Sequence, residues 1–322
     1  MRFSVIIPLY NKAPYVEKAL RSVFAQTFTD YELVVVDDGS RDESAAIAER
    51  LLQNTTNTQL IRQANAGVST ARNNGVKASQ GDYLCFLDAD DWWAPTFLEE
   101  MSQLIAEFPQ AGIYGSGYTI VNETKHKTRV ASIGVAPDFV KGEINYCKVY
   151  AKTLCMPLTS ISVAIPRWVF DEMNGFKPQL KLGEDFDLWI RIALKHKVVF
   201  LNKPLAYYNQ DVPVNLRATN NLHAPEHAEY FFYSQLEIDY PENDELKSLL
   251  DKKRVNSMMA YYFSKEYAVF ARKELDKVDW SKQPKSAMKL YQKPKWFLKL
   301  RLSFLKLGAK LKQIFIRCLA GK

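Results

Sequence analysis

Phe86-Leu87-Asp88-Ala89-Asp90-Asp91 closes an apolar run, and upstream Val34-Val35-Val36-Asp37-Asp38-Gly39-Ser40 closes another. Two buried strands that each end in carboxylates are a particular arrangement. In an open α/β sheet the carboxyl ends of the strands line the ligand crevice. Carboxylates gathered there repel one another unless a cation sits among them. Asp-x-Asp at a strand end therefore suits a hard divalent ion shared with a phosphate, because such ions prefer oxygen ligands. Taken alone, the acidic run reads more readily as a pair of turns, which Asp favours in any case. Its surroundings reverse that reading.

Working outward, Phe3–Leu9 is a short β-branched apolar run, expected to be a buried first strand. Pro14–Gln26 places Val16, Ala19, Leu20 and Val23 at helical spacing. Tyr31–Val36 is the second strand. Arg41–Leu52 reads as a helix with Ser40 as N-cap and Glu43 at the capping-box position. Thr58–Arg62 (strand), Val68–Ala78 (helix), Tyr83–Leu87 (strand) and Pro95–Phe108 (helix) complete four alternations. Such alternation predicts a Rossmann-like, mostly parallel central sheet flanked by helices. No G-x-G-x-x-G and no G-x-x-x-x-G-K-[ST] occurs, so a phosphate ligand here would need a metal rather than a glycine cradle.

From Gly112 to Ile165 the pattern loosens into short β-like pieces, read as a mixed-sheet extension with a variable loop. Trp168–Met173 and Glu184–Lys195 read as helices and Val198–Leu201 as a last strand. Glu226–Leu236 and Glu245–Ala271 read as helices of a C-terminal extension. The expected organisation is a catalytic domain over 1–210, a helical extension over 211–280 and a tail over 281–322. Within the first, residues 1–110 would hold a nucleotide and 111–210 an acceptor.

The chain has 322 residues, is 47% hydrophobic and carries a formal net charge of +7. That total conceals an asymmetry: Ser281–Lys322 holds twelve Lys and Arg and no acid, whereas the remainder holds 31 basic and 36 acidic residues. Pro294–Cys318 places Trp296, Leu300, Phe304, Leu307, Leu311, Ile314, Phe315 and Cys318 on one helical face, opposite Lys299, Lys306, Lys310 and Arg317. A basic amphipathic helix of this kind suits an anionic membrane surface. Its apolar face argues against nucleic acid. Cys85, Cys147, Cys155 and Cys318 show no C-x-x-C spacing and read as reduced thiols. No signal peptide and no run of about twenty apolar residues is found. The expectation is a cytoplasmic protein, peripheral on the inner face of the membrane. His223 and His227, four residues apart, lack the intervening Glu of a zinc helix and read as partly exposed histidines.

Seven segments, in order, carry a more specific likeness. They are Val5-Ile6-Ile7-Pro8-Leu9-Tyr10-Asn11, Gln26-Thr27-Phe28, Val36-Asp37-Asp38-Gly39-Ser40, Asn65-Ala66-Gly67-Val68-Ser69-Thr70-Ala71-Arg72-Asn73-Asn74-Gly75, Asp88-Ala89-Asp90-Asp91, Gly175-Phe176 and Gly183-Glu184-Asp185-Phe186-Asp187-Leu188-Trp189-Ile190-Arg191. Residues 3 to about 208 resemble an inverting family 2 glycosyltransferase of the GT-A fold, of the bacterial cell-surface polysaccharide type.

The resemblance implies transfer of a sugar from a nucleotide-sugar donor, a UDP-sugar in the first instance, to a glycan or lipid-linked acceptor. It assigns nucleotide-sugar contacts to Pro8, Tyr10, Asp38, Asn65, Arg72, Asp88 and Glu184. Mg²⁺ or Mn²⁺ falls to Asp90, and the general base to Asp185. Chemistry supports each role. A tyrosine ring stacks on a base, and Asp38 can accept the imide N–H of uracil. Arg72 has a fork suited to phosphate oxygens. Asp185 stands at a helix start, where backbone N–H groups orient it. Asp37 is read as a local turn cap, and Trp189 and Arg191 as packing partners. Two other readings stay open: a sugar-nucleotide nucleotidyltransferase, and a non-catalytic membrane adaptor that keeps the fold.

Overall fold

The computed structural model describes residues 1–53, 55–213 and 222–291. The tail helix expected over 294–318 lies outside them, as does Cys318. Among the described residues, no helix is long and apolar enough to cross a membrane.

The first part of the chain alternates as the hydrophobic pattern predicts: β1 (Phe3–Leu9), α1 (Val16–Phe24), β2 (Tyr31–Asp37), α2 (Ser44–Leu52), β3 (Thr58–Arg62), α3 (Val68–Ala78) and β4 (Tyr83–Phe86). Next come β5 (Trp92–Trp93), α4 (Phe97–Glu107), β6 (Ile113–Asn122), β7 (Lys127–Val130), β8 (Lys141–Ile144), α5 (Tyr146–Thr153), β9 (Val163–Pro166), α6 (Arg167–Glu172), α7 (Glu184–Ala193) and β10 (Val198–Asn209). One sheet runs in the order β3-β2-β1-β4-β9-β6-β10-β5, with β7 on β6 and β8 on β10. The strands β3, β2, β1 and β4 are parallel. Beyond β4 the sheet becomes mixed: β9 is antiparallel to both β4 and β6, and β6 and β10 are parallel.

Two antiparallel steps restore direction, so β10 points the same way as β1, β2 and β4. All four strands bring their carboxyl ends to one edge. This is the geometric fact that builds the site. The centres of β1, β2 and β4 are apolar because both faces are covered: Val5, Ile6, Ile7, Leu33, Val35 and Phe86 are wholly buried. Against them pack Val16, Ala19, Leu20 and Val23 of α1, and Leu98, Met101, Leu104 and Ile105 of α4.

The Gln26-Thr27-Phe28 motif acquires a structural role. Gln26 is buried, donates to the carbonyls of Ser22 and Ala94, and accepts the Leu98 N–H. The Thr27 N–H bonds to the Pro95 carbonyl at 2.9 Å. Together they clamp the segment that follows the acidic turn.

Several local expectations change. The second helix starts at Ser44, with Glu43 at the N-cap position. Ser40 is not its cap; its hydroxyl instead accepts the Asn11 N–H at 3.1 Å. Within 112–165, α5 is a helix that the β-like composition hid; Asn145 caps it by accepting the Lys148 N–H. Strand β10 continues past Leu201 to Asn209, through irregularities on either side of Pro204 that masked it as a turn. The helix expected over 226–236 opens instead as 3-10 turns before α8 (Tyr233–Asp239), because Ala228 is drawn out to pair with Leu182.

The described residues form two compact units, which divide between Leu249 and Leu250. The helix expected over 245–271 divides into α9 (Asp244–Phe263) and α10 (Ala268–Asp276). Between them the Ser264 hydroxyl accepts the N–H groups of Glu266 and Tyr267, which starts a new turn. In the second unit, buried Arg254 pairs with Glu274 at 2.9 Å. A last short helix, α11 (Lys285–Tyr291), sends the Tyr291 hydroxyl to the Val255 carbonyl.

Candidate active site

At the common carboxyl edge lies a cleft of about 480 Å³. Pro8, Tyr10, Asp38, Asn65, Arg72, Asp88, Asp90 and Glu184 all line it. The topology therefore collects eight of the nine residues singled out in the sequence, from segments as far apart as positions 8 and 184. Tyr10 is 41% exposed, so its ring offers an open face to the cleft.

The backbone of the acidic turn is set by the Asp91 N–H bonding to the Asp88 carbonyl at 3.0 Å. The three carboxylates have different surroundings. Asp88 accepts Arg72 Nη2 at 2.7 Å and the Ser160 hydroxyl at 3.2 Å. Asp90 pairs with Lys12 Nζ at 2.5 Å. Asp91 is buried and accepts the Asn209 N–H at 2.7 Å. Burial raises the Asp90 carboxyl above its ordinary range, Lys12 opposes, and Asp88 adds to the rise. Burial raises Asp91 still further, aided by the charges of Asp90 and Asp88. Burial and mutual repulsion thus work against full ionisation of the turn.

Among the described residues, no group of three or more His, Cys, Asp or Glu is disposed to hold a metal unaided. His227 Nδ1 lies 2.9 Å from the Gln179 carbonyl. A divalent ion at Asp90 would have to complete its shell with ligand phosphates and water, which is how Mg²⁺ is ordinarily held. The donor set fits that use.

Asp38 is buried and engaged. Its Oδ1 accepts Gln63 Nε2 and the Ala66 N–H, both at 2.8 Å, and its Oδ2 accepts the Gly67 N–H at 2.9 Å. It fixes the loop that presents Asn65, whose amide donates to the Asp38 carbonyl. A carboxylate has about four acceptor positions, so one remains for a ligand N–H. Gly39, with φ of 75°, lets this turn close: a Cβ there would stand 3.0 Å from the Asn65 nitrogen. Asp37 caps the same turn through the Ser40 N–H, as expected.

Arg72 differs most from its expected role. Its side chain is 2% exposed, and the fork grips Asp88 at 2.7 Å and Glu184 at 2.9 Å. The expectation of a fork free for phosphate gives way to an organiser that ties α3, the acidic turn and the start of α7 together. Removing it would strand two carboxylates. Arg72→Met is expected to destabilise the chain by about 3 kcal/mol, the usual penalty for breaking a buried ion pair. A urea melt checks this; a loss below about 1 kcal/mol would mean that water already serves those carboxylates.

Asp185 does not line the cleft. It stands one residue beyond Glu184, with its Oδ1 accepting the Phe186 N–H at 2.7 Å. Burial pushes its carboxyl up to about 7; the Glu184 charge adds to this, Arg72 opposes it, and Glu229 adds further. The helix start is made by Gly183, with φ of 77°, against which Glu229 packs so closely that a Cβ would meet its carboxylate at 2.3 Å. Trp189 is wholly buried, and Arg191 ties Asp187 to the carbonyls of Met173 and Gly175, both as packing partners.

Lys12, Ser160, Tyr208, Asn209 and Glu229 reach the site or its margin without having been given a role from sequence. Lys12 had a signal, since it follows Tyr10-Asn11 at a strand end. Tyr208 and Asn209 had none, because Pro204 concealed their strand.

A large mixed α/β sheet wound with helices is the architecture of the GT-A class of fold. Solved structures agree: S. aureus TarS residues 1–349, in complex with UDP-GlcNAc, superimposes with a TM-score of 0.68 at 22% identity, over 85% of this chain and 78% of that one. The glycosyl transferase family 2 model matches residues 4–161 and supports a family 2 glycosyltransferase of the GT-A fold. Among curated relatives, glycosyltransferase GlyA of Streptococcus pneumoniae serotype 4 is 32% identical over 227 residues, covering 64% of this chain and 30% of GlyA. The uncharacterized glycosyltransferase EpsJ of Bacillus subtilis is 38% identical over 115 residues, covering 36% of this chain and 33% of EpsJ. The chain thus spans only about a third of the length of these two relatives.

Proposed function

We propose that the chain transfers a sugar from a UDP-sugar to a hydroxyl of a glycan or lipid-linked acceptor, with inversion at the anomeric carbon. The observation that carries this reading is the single cleft that gathers Tyr10, Asp38, Asn65 and the Asp88–Asp91 turn at the carboxyl edge. Tyr10 stacks on the base, and the remaining acceptor position of Asp38 takes its imide N–H. Asp90 would hold Mg²⁺ or Mn²⁺ together with the diphosphate, and the ion would supply charge neutralisation for the leaving group. Asp185 is the base. The acceptor oxygen bonds to the anomeric carbon, the bond from that carbon to the diphosphate oxygen breaks, and the acceptor proton passes to the Asp185 carboxylate. A carboxyl that titrates near 7 suits this task at neutral pH. Arg72 and Glu184 hold the base's helix against the acidic turn. On sequence alone, residues 294–318 are read as the element that brings the chain to an anionic membrane.

The test is nucleotide release from a panel of sugar nucleotides with Mn²⁺, led by the UDP-GlcNAc that TarS binds. Release of UDP is expected. Release of pyrophosphate from UTP and a sugar phosphate would instead favour the nucleotidyltransferase, and no release from any donor, with binding retained, the adaptor.

A further inference from the structure

Lys12 is held at its backbone and reaches out along its side chain. Its N–H bonds to the Ser44 hydroxyl at 2.7 Å, its carbonyl accepts the N–H groups of Tyr15 and Val16, and Asn11 before it turns with φ of 50°. From that fixed base its ammonium reaches Asp90 Oδ2 at 2.5 Å, with the two side chains 23% and 18% exposed. The neighbouring carboxylates are held by fixed groups: Asp88 by buried Arg72 and by Ser160, Asp91 by a backbone N–H. Asp90 is held by a flexible side chain on a four-carbon stem. A metal at Asp90, as assigned above, would compete with Lys12 for this carboxylate.

We infer that Lys12 is a built-in counter-ion for Asp90, which makes cation binding depend on the donor. This inference rests on the metal role given to Asp90 under the proposed function. A divalent ion arriving alone must break the ion pair and leave an ammonium beside a dication in a partly buried site, where like charges repel strongly. A nucleoside diphosphate removes that penalty, because its oxygens ligate the ion and also offer the displaced ammonium a new anion. Cation and donor therefore bind as a coupled pair, and the site stays closed by its own lysine until a diphosphate is present. A ligand that lacks the diphosphate, such as uridine, does not open it.

The test is Mn²⁺ binding, followed by the electron paramagnetic resonance signal of the free ion, with and without UDP. In the parent chain, UDP is expected to tighten Mn²⁺ binding strongly and uridine not at all. Lys12→Met should bind Mn²⁺ alone about tenfold more tightly than the parent, a typical size for coupling between sites, and the gain from UDP should shrink. Lys12→Arg, which keeps the charge, should behave as the parent does. Adding Asp90→Asn to Lys12→Met should abolish the gain, which places the ion at Asp90. If Lys12→Met binds Mn²⁺ alone no better than the parent while UDP still recruits Mn²⁺ to both, the counter-ion role is wrong and the metal reading survives. If UDP recruits Mn²⁺ to neither chain, the metal reading fails and takes this inference with it.

Discussion

Asp185→Asn is expected to slow sugar transfer at least about a hundredfold while leaving UDP binding near that of the parent. Asn keeps the shape and the bond from the Phe186 N–H but cannot take a proton. Retained transfer would move the base to another residue, Glu184 being the nearest carboxylate that lines the cleft. The parent should show a matching pH profile. Only the ionised carboxylate accepts the acceptor's proton, so transfer should rise with pH through about 7 and level off above it. Stability should move the other way. In the unfolded chain this carboxyl titrates at about 3.9, and in the folded chain at about 7. Between those values the folded state binds the extra proton, so stability falls as pH rises through the window. Asp185→Asn should therefore be more stable than the parent at pH 8 and no more stable at pH 4. Thermal melts at the two pH values check this, and a gain of equal size at both would mean that the charge on Asp185 is not what destabilises the fold.

The second large effect belongs to Asp90. With UDP at about one hundred times its dissociation constant, the parent in Mn²⁺ should gain about 2.7 kcal/mol of stability from the ligand. In EDTA the gain should be much smaller. In Asp90→Asn the two conditions should coincide, since the carboxylate that carries the ion is gone. Equal stabilisation of the parent with and without Mn²⁺ would remove the metal from the reading and leave the diphosphate to Lys12.

Much of this architecture was legible in the chain. Val16, Ala19, Leu20 and Val23 recur at helical spacing because one face of α1 meets the sheet, and all four are buried. β1 and β3 keep their expected bounds and β2 extends by one residue; the apolar centres of β1 and β2 follow from cover on both faces, whereas β3 is an edge strand with no fully buried residue. The fold of residues 112–165 was less legible, since Tyr146-Cys147-Lys148-Val149-Tyr150 has the composition of a strand and becomes helical only under its Asn145 cap. Strand β10 was cut short at Leu201 because Asn202-Lys203-Pro204 has the composition of a turn; pairing with β6 carries it through.

The same division holds in the site. Strand ends and motifs brought Tyr10, Asp38, Asn65, Asp90 and Glu184 to notice, because residue type and position at a carboxyl edge are local properties. What each charged group holds is not local. Arg72 meets Glu184 across 112 positions of sequence, and Lys12 meets Asp90 across 78. Hydrophobic periodicity reports which side of an element faces the core, and motif spacing reports which residues share a turn. Neither reports the distance between two turns on different strands, which the order and direction of the sheet decide. The chain by itself therefore determined a wound sheet with carboxylates at one edge. The tertiary structure alone decided that Arg72 is clamped within the protein, that Asp185 stands behind Glu184, and that a lysine holds the carboxylate assigned to the metal.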